Sequence, residues 1–242
     1  LSWPLAAGLA QPIRRAVFVD EQRVPEELEW DEFDAPGFHV LIIEDASGKA
    51  VATARLSPRG GGVCYFNRLA VLQPWRGRGL GRLLMDTLLH EGGHAFHSLA
   101  VRDEPMVMDR HAPLEFCEVA SMSMELLAHP HLEAFYSPSD ARRARRTHLE
   151  GVVNLLCWIA TIDAFQHWIY THPGHSGAER RAVWCGLMDR FGGGEDWAGL
   201  EEERAYLWQR QPHPFCHPFY YIEYGIAQLG ALQVWRRAER NQ

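Results

Sequence analysis

The sequence contains no C-x-x-C pair and no even set of cysteines from which a disulfide framework could be built. Its five cysteines are scattered along the chain. Small secreted proteins are commonly held together by paired cysteines, whereas cytosolic proteins keep their thiols reduced. A signal peptide is also missing from the sequence. We therefore expect reduced thiols and a cytoplasmic location.

Long apolar runs and an excess of positive charge are missing as well. The most apolar stretch, Val152 to Phe165, is shorter than a membrane span and contains Asn154 and Asp163, so it predicts a buried helix. The 242 residues include 31 acidic and 24 basic side chains, which gives a net charge of −7. Proteins that bind nucleic acids generally present a basic surface. The sequence therefore predicts no nucleic-acid partner and no membrane partner.

What the sequence does contain changes in character along the chain. Residues 39–45, 50–56 and 63–72 have the composition of strands and are separated by turn residues. They predict an antiparallel meander, followed by a strand–loop–helix unit. From about Asp86 the strand signals nearly vanish and apolar residues recur at helical spacing. The predicted fold class is α+β, with the sheet in the first part and helices in the rest.

Helices are predicted over residues 114–128, 140–170 and 218–237. Ser139 is a suitable N-cap for the second of these helices, because its hydroxyl group can accept a bond from a free amide of the first turn. Pro218 would stand near the start of the third helix, where proline is tolerated.

The segment from Gly77 to His97 carries two motifs on one predicted helix. In the H-E-x-x-H motif, His90 and His94 are four residues apart, which places both imidazoles on one helix face. The motif is typical of zinc sites in which the glutamate, here Glu91, is the general base. The alternative is a surface helix with two incidental histidines.

Two glycines, Gly92 and Gly93, separate the histidine pair. Each glycine costs a helix interior about 1 kcal/mol relative to alanine. We therefore expect close backbone packing at this point, although a weak helix is an alternative explanation.

A catalytic zinc ion needs a third protein ligand. The candidates that follow the histidine pair are three glutamates and one histidine, and their spacing does not choose among them: Glu115, Glu118, Glu125 and His111. His97 extends the motif to a third histidine. We expect it to pack near the ligands or to hydrogen-bond to them rather than to bind the metal.

Four blocks resemble the oligoendopeptidase F group of thimet-type zinc peptidases, from about residue 86 to the end of the sequence. The blocks are D-T-L-L-H-E-G-G-H-A-F-H, E-F-C-E-V-A-S-M-S-M-E-L-L, A-T-I-D-A-F-Q-H-W-I-Y-T-H-P and H-P-F-Y-Y-I-E-Y-G-I-A-Q-L-G-A-L-Q-V-W. The resemblance implies a mostly helical, zincin-like region with one Zn²⁺ per chain and short peptides as substrates. The zinc ligands that it implies are His90, His94 and Glu118. The catalytic residues that it implies are Glu91, His213, Tyr221 and Tyr224. Aromatic packing is the alternative role for the tyrosines.

The segment from about residue 12 to residue 89 resembles the N-terminal half of a GNAT-superfamily acetyltransferase. The resemblance rests on R-R-A-V-F-V-D-E-Q-R-V-P-E-E-L-E-W-D-E-F-D and N-R-L-A-V-L-Q-P-W-R-G-R-G-L-G-R-L-L-M-D-T-L-L. Glycines in such a loop let the backbone approach a pyrophosphate. The acetyl-CoA-binding residues that the resemblance implies are Arg76, Gly77, Arg78, Gly79 and Gly81. The strand and helix that complete the cofactor cleft in that family have no counterpart here.

Two domains follow from these resemblances: a GNAT-like fragment over residues 1–85 and a helical zinc metallopeptidase catalytic region over residues 86–242. The GNAT-like segment stands where the peptidases have a helical region that forms one wall of the substrate channel. The expected function is a zinc-dependent metalloendopeptidase acting on short peptides, impaired by this missing wall. The alternatives are an acetyl-CoA-dependent N-acetyltransferase and a non-enzymatic chimeric fragment.

Overall fold

A computed structural model describes residues 1–59 and 63–241 of the chain, which divide into two compact units. Unit 1 contains Leu1–His111 and Ala120–Glu125. Unit 2 contains Ala112–Val119 and Leu126–Gln242. The chain therefore contributes six residues to unit 1 after it has already entered unit 2.

Unit 1 contains a three-stranded sheet and one long helix. Its elements in chain order are α1 (Trp3–Arg14), a π-helical turn (Arg15–Glu21), α2 (Glu26–Glu29), β1 (Phe38–Ile43), β2 (Ala50–Pro58), β3 (Cys64–Val71), a 3-10 turn (Gln73–Trp75), α3 (Leu80–Ala100) and a second 3-10 turn (Val107–Arg110). The strand order is β1-β2-β3, and both pairings are antiparallel. The predicted meander is therefore confirmed, and no strand follows β3 within the described residues.

The central strand β2 is buried on both faces of the sheet. Side chains alternate between the two faces of a strand, and Ala52 and Ala54 pack with Leu84 and Leu88 of α3. Thr53 and Arg55, which alternate with these alanines, point to the opposite face, where both are buried. The small alanine side chains let α3 lie close to the sheet.

The face of the sheet that carries Arg55 holds a network of ion pairs beside a small apolar cluster of Ile13, Val17 and Ala70. Arg14 is 1% exposed, and its guanidinium donates to Asp34 Oδ1 at 2.5 Å. Arg55 donates to the same oxygen, also at 2.5 Å. Three guanidinium groups and three carboxylates form the network, so that their charges balance: Arg14, Arg55, Arg68, Glu29, Asp31 and Asp34.

Unit 2 consists of helices and turns within its described residues. The elements of the second part of the chain are a 3-10 turn (Leu114–Phe116), α4 (Val119–Leu127), a 3-10 turn (His129–Ala134), α5 (Pro138–Thr171), α6 (Gly177–Phe191), α7 (Glu201–Tyr206), a 3-10 turn (Leu207–Arg210), α8 (His213–Cys216) and α9 (Ile222–Arg240). The predicted α+β fold class, with a sheet followed by helices, is confirmed.

Helix α5 provides the core of unit 2. Ile162 and Phe165 are fully buried and pack against Trp184 of α6 and against Trp208. By length and composition, α5 is the one helix among the described residues that is apolar enough to cross a membrane. Core helices of globular domains share this length and composition, so one such helix is weak evidence of a membrane span. The buried helix predicted from Val152 to Phe165 is part of α5, with Val153 exposed on its outer side.

Three predicted helix starts were wrong. The first predicted helix, over residues 114–128, begins as a 3-10 turn, and α4 starts only at Val119. The N-cap of α5 is Ser137, whose Oγ accepts from the Asp140 amide at 3.2 Å. Ser139 lies inside α5, because Pro138 already occupies the first helical position. Helix α9 starts at Ile222, which leaves Pro218 outside it, because Phe219 has a φ of 62° that no α-helix accommodates.

Candidate metal centre

Helix α3 carries the H-E-x-x-H motif, and the glycine loop leads directly into its first turn. It starts after Gly79, whose φ of 78° is a left-handed conformation that glycine adopts without steric cost, and it continues to Ala100. The rings of His90 and His94 lie one turn apart, with 5.0 Å between their centroids and an angle of 82° between their planes. Both imidazoles therefore project from the same face of α3, as their spacing predicts.

Glu118 completes a group of three metal-binding side chains. One ligand atom from each of His90, His94 and Glu118 lies within 4.8 Å of the other two. Ligand atoms bound tetrahedrally to zinc at about 2.0–2.2 Å are roughly 3.4 Å apart. Small side-chain rotations would therefore bring all three onto one ion, and two imidazoles with one carboxylate are a donor set that suits catalytic zinc. No second group of this kind occurs among the described residues.

Glu118 reaches this position from a turn rather than from a helix. It is the last residue before α4, whereas the sequence predicted that it lies within a helix over residues 114–128. Glu115 lies in the preceding 3-10 turn and is exposed. Neither Glu115 nor His111, the other candidates for the third ligand, belongs to the metal-binding group.

Glu125 is not part of the metal-binding group but forms a hydrogen bond with His90. Nδ1 of His90 donates a hydrogen bond to Oε1 of Glu125 over 2.7 Å. A carboxylate oxygen accepts, so Nδ1 carries the proton, and the lone pair of Nε2 points to the other side of the ring. This is the arrangement in which an imidazole binds a metal through one nitrogen and is held through the other. The sequence placed Glu125 among the candidate ligands and gave no sign of this role.

Gly93 packs against the backbone of α4. A Cβ atom added to Gly93 would lie 2.4 Å from Cα of Ser121 and 2.5 Å from the carbonyl oxygen of Ala120. At Gly92 an added Cβ would lie 3.5 Å from the ring of Phe66, which is an ordinary van der Waals distance. The close packing expected from the two glycines therefore occurs at Gly93.

The two adjacent glycines provide a matched pair of substitutions. We expect Gly93→Ala to destabilise the protein by about 1–3 kcal/mol, because the new methyl group overlaps backbone atoms that move only together with α4. We expect Gly92→Ala to be neutral or to stabilise by up to about 1 kcal/mol, because alanine is the better helix former. Urea denaturation of both variants measures this difference. Equal effects of the two substitutions would contradict the packing described for Gly93.

The other predicted site residues form an aromatic cluster at the start of α9 in unit 2. The ring of His213 lies 4.8 Å from that of Tyr221, 5.8 Å from that of Tyr224 and 5.9 Å from that of Tyr220, centroid to centroid. Tyr220 and Tyr224 are in edge contact at 5.5 Å. Tyr220 was not among the predicted catalytic residues, but its four-residue spacing from Tyr224 is a signal that could have included it.

The protonation of this cluster suits hydrogen-bond donation by its tyrosines. Burial raises the pKa of the Tyr224 hydroxyl, and the neighbouring Tyr220 and Glu118 raise it further. Burial also raises the pKa of Tyr221, whose hydroxyl hydrogen-bonds to the indole of Trp158. Both phenols therefore stay protonated at neutral pH. Tyr221 is tied to the core of unit 2, whereas Tyr224 lies near Glu118.

The pKa of His213 is shifted in the opposite direction to those of the tyrosines. Burial lowers it, and the nearby His217 lowers it further. The lowered pKa favours the neutral imidazole of His213. A neutral imidazole can donate one hydrogen bond and accept another.

The arginines of the predicted acetyl-CoA loop already have partners within unit 1. The Arg76 guanidinium donates to both carboxylate oxygens of Glu21, at 2.7 and 2.6 Å, and to the Val71 carbonyl. The Arg78 guanidinium lies 4.6 Å above the ring of Trp75. A phosphate ligand would have to compete with these contacts.

The glycines of the same loop leave its backbone open. Gly77 and Gly79 have φ values of 75° and 78°, and a Cβ atom added to either would have nothing within 4 Å. Gly81 lies in the first turn of α3, where an added Cβ would meet Leu69 at 3.8 Å. The backbone is thus accessible, although the arginine side chains are occupied.

Two family models match this chain, one for each of the two resemblances. The model of peptidase family M3 matches residues 80–242, and that of the GNAT acetyltransferase family matches residues 9–104. Both matches include residues 80–104, and so the whole of helix α3. Uncharacterized protein YyaT of Bacillus subtilis (strain 168) is 34% identical over 82 residues, which are 33% of this chain and 53% of YyaT.

Solved structures of peptidases resemble the larger part of the chain. Pz peptidase A, solved with an inhibitor, is 35% identical with a TM-score of 0.59, over 65% of this chain and 28% of that protein. A putative oligoendopeptidase F is 32% identical with a TM-score of 0.58, over 74% of this chain and 30% of that protein. The chain thus spans less than a third of either peptidase. Since the M3 match covers more than half of its residues, the chain belongs to peptidase family M3.

Proposed function

We propose that this chain is a zinc-dependent metalloendopeptidase that hydrolyses peptide bonds in short peptides. The observation that carries the proposal is the group formed by His90, His94 and Glu118, whose ligand atoms lie within 4.8 Å of one another. All three residues lie in the part of the chain that matches family M3. They would hold one Zn²⁺ ion, and Glu91, next to His90 on α3, would act as the general base.

In the proposed reaction each protein group either transfers a proton or stabilises a charge. Bound zinc supplies Lewis-acid chemistry at the scissile carbonyl. The carboxylate of Glu91 takes a proton from the attacking water and delivers it to the leaving amine. His213 and Tyr224 donate hydrogen bonds to the negative charge that develops on the carbonyl oxygen. The raised pKa of Tyr224 supports this role, because only the protonated phenol can donate.

Peptide binding is proposed to be weaker than in a full-length peptidase. The solved peptidases are more than three times longer than the stretch that this chain matches. A GNAT-like segment precedes the zinc helix, and we propose a junction of the two segments near residue 85. Since fewer contacts to the substrate remain, we expect KM to be raised more than kcat is lowered.

The proposed function is tested by cleavage of a short fluorescence-quenched peptide. We expect slow hydrolysis that stops when zinc is removed with a chelator and returns when Zn²⁺ is added back. The His94→Ala variant is the control for a contaminating peptidase, because it should show no cleavage under any of these conditions. Cleavage that is unchanged by the chelator, or equal in His94→Ala, would contradict the proposal.

A second candidate function is binding of acetyl-CoA at the loop before α3. It is favoured by the GNAT match over residues 9–104 and by the open backbone at Gly77 and Gly79. Thermal unfolding with and without acetyl-CoA tests it. Binding predicts a higher midpoint temperature that is lost in Gly79→Asp, whereas an unchanged midpoint in the parent protein would rule this candidate out.

A further inference from the structure

We propose that Glu125 and Gly93 act together to position His90 for metal binding: Glu125 holds the ring, and Gly93 allows α4 to come close enough for it to do so. Glu125 is thus a positioning residue and not a fourth ligand. The inference rests on the proposed metal site and adds to it a device that selects the tautomer and the orientation of one ligand.

The device consists of two contacts between α3 and the segment Ala120–Glu125, all within unit 1. In the first, the backbone of Gly93 meets that of Ser121. In the second, His90 donates to Glu125. His90 and Gly93 are three residues apart on α3, and Ser121 and Glu125 are four apart on α4, so each pair shares one helix face.

Two contacts about one helical turn apart fix both the separation of the two helices and the rotation of α4, whereas a single contact would not fix both. Gly93 lies later on α3 than His90, but it contacts Ser121, which lies earlier on α4 than Glu125. The two helices therefore run in opposite directions where they meet. The backbone contact at Gly93 sets their separation. The hydrogen bond at His90 then fixes the rotation of α4 about its axis, because only one face of α4 presents Glu125 to the ring.

The hydrogen bond depends on the close approach. A side chain at position 93 would have to move its neighbours by roughly 1 Å, because real Cβ contacts are rarely closer than the 3.4 Å of ordinary packing and this one would be 2.4 Å. A shift of that size would stretch the 2.7 Å bond from His90 to Glu125 beyond normal hydrogen-bond length. Glycine at position 93 is therefore a condition for the bond.

The hydrogen bond prepares His90 chemically as well as sterically. With the proton held on Nδ1, the lone pair of the ring is on Nε2, through which His90 would bind a metal ion, and the negative carboxylate makes the imidazole a stronger donor. His90 and Glu125 are only partly exposed, at 30% and 21% of their side-chain surfaces. Their interaction is therefore weakened by solvent less than a surface pair would be.

The experiment measures metal affinity in the full chain by competition with a chromophoric chelator, using Zn²⁺. We expect Glu125→Ala to weaken binding about 10–100-fold, as loss of such partners typically does. Glu125→Gln keeps an acceptor oxygen without the charge, and it should lose less. The control is Glu27→Ala, which removes an exposed carboxylate of unit 1 and should leave the affinity unchanged.

Two further readouts separate positioning from a general loss of structure. Circular dichroism establishes that each variant is folded, and the absorption bands of bound Co²⁺ should change in Glu125→Ala but not in Glu27→Ala. The double variant Gly93→Ala/Glu125→Ala should bind Zn²⁺ no more weakly than the worse single variant, because both substitutions break the same bond.

The outcomes distinguish this inference from the proposed function. A parent protein that binds no zinc would refute the metal site itself. A parent that binds zinc with the same affinity as a folded Glu125→Ala variant would overturn the positioning role and leave the metal site standing. If the effects of Gly93→Ala and Glu125→Ala multiplied, the two residues would act separately, which would contradict their joint action.

Discussion

Replacement of Glu91 by glutamine is expected to lower kcat by about 10²–10⁴-fold and to leave zinc binding intact, because positioned general bases contribute rate factors of that size. Glutamine has nearly the shape of glutamate but cannot take a proton from water. Glu91 is also absent from the group of potential metal ligands. Steady-state cleavage of a quenched peptide, together with the zinc content of the same preparation, measures both parts of this expectation.

Comparison with a ligand variant makes the Glu91 result specific. His94→Ala should lose activity and zinc together, whereas Glu91→Gln should lose activity alone. KM should change little in Glu91→Gln, because the substitution removes an interaction that matters in the transition state. Activity near that of the parent in a zinc-loaded Glu91→Gln protein would show that another group serves as the base.

Replacement of Asp34 by alanine is expected to destabilise unit 1 by about 3–5 kcal/mol, which is the usual effect of removing one partner from a buried ion pair. Asp34 Oδ1 accepts from both Arg14 and Arg55, and these arginines are 1% and 0% exposed. Without Asp34, two buried guanidinium groups would share the remaining carboxylates, and part of their charge would be unbalanced. Urea denaturation followed by tryptophan fluorescence measures the loss.

The control for Asp34 is an acidic residue outside the network. Asp45 is exposed in the turn between β1 and β2, and its replacement by alanine should change stability by no more than about 0.5 kcal/mol. If Asp34→Ala were as mild as Asp45→Ala, the network would not hold the helices to the sheet, and its charges would be compensated by solvent.

The elements that the sequence predicted well depend on local patterns. The strands of unit 1 were found because turn residues separate β-rich runs, and those runs needed only to pair with their neighbours. Helix starts were less well predicted: both Ser137 and Ser139 can cap a helix, and the signal that selects Ser137 is Pro138, which favours the first helical position. The Arg14, Arg55 and Asp34 interactions were not foreseen, because these side chains are far apart in sequence and meet only when the sheet has formed.

The candidate site also combines features that local sequence patterns predict with features that depend on tertiary structure. The spacing of His90 and His94 predicted their shared face, since four residues make about one helical turn. The choice of Glu118 over its neighbours came from family resemblance and not from spacing. The partnership of Glu125 with His90 could not be predicted, because it depends on the rotation of α4 and on the close approach at Gly93, which are tertiary features.

The zinc content of the purified full chain tests the central claim most directly. Elemental analysis after dialysis against metal-free buffer should find one zinc ion per chain, and none above background in His94→Ala or Glu118→Ala, provided that both variants show the circular dichroism of the folded parent. No zinc in the parent, or the same zinc content in the parent and the two variants, would contradict the assignment of His90, His94 and Glu118 as a metal site.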